Sequence, residues 1–168
     1  MSRNRHALFL ALVTALACSS GSKTQTLSKG EVTGLPSGNA VGASFSGTYV
    51  ITDSVLEGCN CRRGPCSGWH ATTGHQLVVK QSDGALEIDE KDSLSSNPCL
   101  GGIDKDGKLR CGFSYTDDDF VLLGLWQGSG VAATSLDFLS NLTFVGNLEG
   151  QDYDCDVDGH VHAPYVGP

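Results

Sequence analysis

The densest run of reactive side chains is Asp152-Tyr153-Asp154-Cys155-Asp156-Val157-Asp158-Gly159-His160-Val161-His162. Closely spaced carboxylates repel one another, and a hard cation such as Ca²⁺ relieves that repulsion by collecting about six to eight oxygens. On a strand, period two puts Asp152, Asp154 and Asp156 on one face and Tyr153, Cys155 and Val157 on the other. A three-residue loop around Asp158-Gly159 would pair Val157 with Val161 and Asp156 with His162, which keeps apolar opposite apolar and brings His162 to the carboxylates.

Asp154-x-Asp156-x-Asp158-Gly159 resembles the first half of an EF-hand loop, with Val161 at its aliphatic position. Tyr165 stands where the bidentate Glu belongs, Cys155 speaks for a bridged strand and Pro164 blocks a second helix, which excludes the whole motif. Two readings remain. Asp154, Asp156, Asp158 and His162 form an incomplete cation site, or the run is a solvated acidic strand face with an Asp-Gly turn. His160 and His162 offer imidazoles to a transition metal but lack a placed third ligand.

Cys59-x-Cys61-x4-Cys66, followed by His70 and His75, has the thiolate and imidazole types of a zinc site. The alternative is a disulfide framework, which an exported chain favours. Arg62 and Arg63 are placed to lower a nearby thiol pKa, although a cysteine nucleophile would also need a positioned base. There are seven cysteines, and setting Cys18 aside leaves the even set Cys59, Cys61, Cys66, Cys99, Cys111 and Cys155, whose connectivity the sequence does not choose.

Cys18 is set aside because of what precedes it. Arg3, Arg5 and His6 lead into the apolar run Ala7 to Leu16, broken only by Thr14, and then Ala17-Cys18-Ser19. A bilayer span needs about 20 apolar residues, so this shorter run reads as an export signal over residues 1–17. Ala15-Leu16-Ala17-Cys18 resembles the lipobox of bacterial lipoproteins, with Leu16 one place later than in the commonest form. That resemblance implies a diacylglycerol on Cys18, cleavage before it and, with Ser19 following, the outer membrane. Ala15-x-Ala17 also satisfies a simple secretion signal, which would release a soluble chain.

Residues 18–43 then read as the lipidated cysteine and a flexible tether, rich in Ser, Gly, Thr and Lys. Residues 44–168 suit a single β domain. Twenty-two glycines and short apolar runs oppose a helical bundle. The clearest hairpin is His75 to Glu90 about Asp83-Gly84, pairing Val79 with Ile88, Lys80 with Glu87 and Gln81 with Leu86. Phe45 to Ile51 reads as a first strand. After an Asp104-Lys105-Asp106-Gly107 turn, Leu109, Cys111, Phe113 and Tyr115 share one strand face, and Asp117-Asp118-Asp119 reads as a loop. Phe120 to Trp126 is apolar on both faces and predicts a strand covered on both sides. Leu142, Phe144 and Leu148 continue the pattern, while Val131 to Leu139 fits a strand or one or two helical turns.

Gly128-Ser129-Gly130 reads as a hairpin turn. It fits G-x-G-x-x-A by accident, since the dinucleotide fold needs parallel strands and crossover helices. The sum is an all-β, disulfide-stapled antiparallel meander closing as a small barrel or packing as a sandwich. Phe45-Ser46-Gly47-Thr48-Tyr49 at its start resembles the opening of lipocalin-like barrels, with Tyr49 in place of Trp. That likeness implies ligand carriage inside a barrel.

Without residues 1–17 the chain has nine basic and nineteen acidic residues, a formal charge of −10, with no Lys or Arg beyond Arg110. Such a surface repels phosphate backbones and excludes nucleic acid as a partner. No H-E-x-x-H, G-x-S-x-G or P-loop is present, and no catalytic residue is named. The expected role is a lipid-anchored envelope module that binds a protein or small molecule, with the membrane as a partner through its anchor. A calcium-dependent module and a secreted enzyme are the alternatives. No cofactor is expected apart from Ca²⁺ on the second reading.

Overall fold

The computed structural model describes residues 24–40, 44–66, 73–91, 93 and 95–168. Cys18 and His70 lie outside the described residues. Local turn chemistry sets the first legible piece: β3 (Gln76–Ser82) and β4 (Ala85–Glu90) pair Val79 with Ile88, Lys80 with Glu87 and Gln81 with Leu86 across Asp83-Gly84. Asp83 sits at φ 51°, a left-handed conformation that Asp tolerates in turns. The alternation then buries Leu77, Val79, Leu86 and Ile88 on one face.

The same rule builds the other strands. These are β1 (Gly47–Val50), β2 (Asp53–Arg63), β5 (Cys99–Ile103), β6 (Lys108–Thr116), β7 (Phe120–Val131), β8 (Ser135–Leu148) and β9 (Gln151–Gly167). Every pairing is antiparallel, and the order β1-β3-β4-β5-β6-β7-β8-β9 closes through β9 onto β1. An eight-stranded barrel results, with β2 as an extra strand continuing along β9 beyond β1. Tyr49 stands opposite Tyr165, Asp53 opposite His162 and Arg63 opposite Asp154. Of the two architectures open to the sequence, the barrel is the one realised.

Eight strands leave an interior just wide enough for side chains to fill or for one small ligand. Here one continuous apolar cluster occupies it, including Tyr49, Leu77, Ile88, Phe138 and Phe144, each nearly inaccessible to solvent. Trp126 stacks on Phe138 with centroids 4.9 Å apart and meets Phe113 edge-on at 5.9 Å. Tyr49, at the position that prompted the lipocalin-like comparison, donates its hydroxyl to the Phe45 carbonyl at 3.0 Å and is wholly buried.

Residues 24–40, within the stretch read as a tether, run as a strap across the outside of the barrel. They contain one short helix, α1 (Lys29–Val32). Leu27 and Val32 are buried against Leu123 and Leu125 on the outer face of β7. The strap therefore supplies the second cover that the doubly apolar Phe120 to Trp126 run predicts. Farther along, the Gly38 amide donates to the Gly84 carbonyl at 2.8 Å and the Ala40 amide to Ile103 at 3.1 Å. Ala40 is completely buried in the barrel's cluster. Close approach needs glycine in the wall: a Cβ at Gly112 would stand 2.4 Å from the Val32 carbonyl oxygen.

Three turns depart from expectation. Asp158-Gly159 is no turn, because β9 continues through it with β8 paired on one side and β2 on the other. Val157 pairs with Leu142 and Cys59, and Asp156 with Thr143 and Asn60, so the pairings with Val161 and His162 do not form. Gly128-Ser129-Gly130 lies inside β7, and the reversal comes at 132–134, where Ala133 takes φ 52°. Val131 to Leu139 is thus strand, turn and strand without helix. The hairpin that sets the register of β9 is Glu149-Gly150, with Leu148 opposite Gln151 and both turn residues at positive φ.

Candidate functional site

The acidic run lies on β9 with the predicted facing: Cys155 and Val157 point into the core, and Tyr153 packs on Phe144 with rings 5.7 Å apart. The outward carboxylates are solvated only in part: Asp152 is exposed and Asp154 half-buried. Asp156 is completely buried and accepts three hydrogen bonds, from Thr26 Oγ1 at 2.6 Å, Thr143 Oγ1 at 2.8 Å and Arg62 Nη1 at 3.1 Å. Thr143 Oγ1 in turn accepts the Leu27 amide at 2.8 Å. The strap thus closes over Asp156 and is fastened by it, since a buried carboxylate requires donors.

Arg62 is on β2 directly beside the run. Its guanidinium forks onto Asp154, Nε to Oδ2 at 2.8 Å and Nη2 to Oδ1 at 2.5 Å, while Nη1 reaches Asp156. Those hydrogen bonds hold the Asp154 carboxyl below its ordinary pKa. Asp158 differs: desolvation raises its pKa, partly offset by the hydrogen bond from Asn141 Nδ2 at 2.7 Å. A Ca²⁺ ion on Asp154 and Asp156 would have to displace Arg62 from both. His162 sits six residues along the strand from Asp156, about 20 Å away, where Nδ1 meets Asp137 Oδ1 at 2.5 Å.

The cysteines form three bridges, Cys59–Cys66, Cys61–Cys155 and Cys99–Cys111. Cys61 and Cys155 are cross-strand partners of β2 and β9, and Cys99 and Cys111 join β5 to β6. Among the described residues, Cys59, Cys61 and Cys66 are the one group of three metal-ligand types drawn together. All three are engaged in bridges, and His75 instead meets Glu90 at 3.1 Å.

Beside the Arg62 fork opens a cleft of about 410 Å³ lined by Arg63, Asp119, Asn147, Asp152, Tyr153 and Asp154. Its mix of one guanidinium, carboxylates and an amide suits a small polar ligand or a peptide end. A second groove, about 400 Å³, runs between α1 and the β5–β6 wall and exposes Leu100.

Thr26, Thr143, Asn141 and the carboxylate role of Arg62 are invisible in local sequence patterns. One signal does exist: Arg62 and Arg63 are the only basic residues between Lys29 and Lys80, and a buried carboxylate needs a cation. No protein-family model, curated protein or solved structure matches the chain. The lipocalin-like likeness therefore rests on its five residues, Phe45 to Tyr49.

Proposed function

We propose that the chain is an exported, lipid-anchored binding or interaction module of the bacterial envelope, bound to the membrane through Cys18. The observation that carries this reading is the cysteine balance. Three bridges consume all six cysteines of the barrel and leave Cys18, at the end of a basic and apolar leader, as the one cysteine over. Bridged cysteines suit an oxidising compartment, and an odd cysteine there calls for a purpose. The filled interior supports binding on the outer surface, with the polar cleft beside Arg62 as its site.

The test expresses the wild-type chain and Cys18→Ser in a bacterium and follows both by fractionation and intact mass. Wild type is expected in the membrane fraction with lipid on the first residue, and Cys18→Ser without it. Wild-type protein that is soluble and unmodified contradicts the proposal.

A further inference from the structure

We infer that the strap dictates which side of the barrel faces the bilayer: with residues 24–28 seated, the β2–β9 wall is turned toward the membrane and the β4–β5 wall away from it. The inference rests on lipidation of Cys18 as proposed above. Thr26 is pinned on Asp156 and Leu27 on Thr143, both by hydrogen bonds of 2.8 Å or less. Thr24 lies over β2, where a Cβ at Gly58 would stand 3.0 Å from its methyl group. From Cys18 to Thr24 is six residues, and an extended chain spans at most about 3.6 Å per residue, so whatever its conformation this leash reaches no farther than about 22 Å.

The wall opposite β9 is four strands away around the closed barrel, at β5. Strands about 4.8 Å apart and tilted about 40° put that wall roughly 25 Å away along the backbone surface, and farther over the side chains. A leash of that length cannot pass around the barrel, so the docked strap forbids the β5 wall from resting on the membrane.

The experiment places a fluorescent unnatural amino acid at Val55 on β2, or at Leu100 on β5, both about half exposed. The full lipidated chain is reconstituted in phosphatidylcholine vesicles carrying a headgroup spin label. Quenching is expected to be several-fold stronger at Val55 than at Leu100. Inserting about twelve Gly and Ser residues after Ser20 lengthens the leash beyond half the barrel's girth and is expected to erase the difference without touching the fold. Equal quenching at both sites in protein whose mass carries the lipid overturns the orientation alone. Protein without lipid that fails to float with the vesicles overturns the anchoring reading and this inference with it.

Discussion

The β3–β4 hairpin and the β9 wall are both antiparallel pairings with apolar residues inward and charges outward, yet they are held in opposite ways. Between the two hairpin strands the partners are local: Lys80 meets Glu87 at 2.6 Å on the outer face and the register follows from the two-residue turn, while contacts with distant sequence, Gln81 to Ala40 and Gly84 to Gly38, gather at the turn end. Exposed pairs of this kind contribute little. On the β9 wall the contacts come from far along the chain. Arg62 is 92 residues from Asp154, Thr26 is 130 from Asp156, and Cys61 is 94 from Cys155. Strand alternation tells which way a side chain points. It does not tell whether another segment will cover it, and the strap turns an outward aspartate into a buried one.

The strongest way to break the contrast is to remove the long-range staple. Bridges restrict the unfolded chain more as the enclosed loop grows, so Cys61→Ala with Cys155→Ala should cost about 4–5 kcal/mol against about 3 kcal/mol for Cys99→Ala with Cys111→Ala. Urea unfolding of both pairs measures the gap, and equal losses would remove the distinction between the walls. Next comes Asp156→Ala, which leaves the Thr26 and Thr143 hydroxyls and one arm of Arg62 without their acceptor. A loss of about 3 kcal/mol is expected, whereas Lys80→Ala should leave the melting temperature unchanged.

Gly112→Val aims at the strap from beneath, and its overpacking should cost about 2 kcal/mol. Protease cleavage within residues 24–40 should rise in step, and an uncut strap would contradict the close approach. The smallest effect concerns pH. Burial raises the Glu90 pKa, partly offset by its hydrogen bond to His75. Its native value therefore lies above its unfolded one, and the folded state holds the proton more tightly. Stability should rise as pH falls through the raised value and level off below the ordinary 4.5. Glu90→Gln should flatten that rise in a melting series. Asp154 has the opposite sign: its stabilisation is present above the ordinary 3.8 and is lost as pH falls through its lowered native value.

What could be read from the sequence follows the same division. Asp83-Gly84, the face shared by Leu109, Cys111 and Phe113, and the inward set Cys155 and Val157 were legible because turn chemistry and period two are local. The doubly apolar β7 announced that something must cover Leu123 and Leu125, but nothing in its own residues names Leu27 and Val32. A composition of Ser, Gly, Thr and Lys suits a tether, and it also suits a strap whose few apolar residues fall where the barrel has room for them. Glu149-Gly150 escaped because Asp158-Gly159 carries the stronger dipeptide signal, and pairing on both edges of β9 overrode it.

The central claim is that residues 24–40 belong to the folded domain, fastened at Asp156. Native-state hydrogen exchange tests it most directly, by comparing the amides of Leu27, Gly38 and Ala40 with those of the barrel strands. All three should be protected, Ala40 as strongly as neighbouring strand amides, and Asp156→Ala should release Leu27 first. Exchange of these amides at the rate of an unstructured chain in the wild-type protein would contradict it.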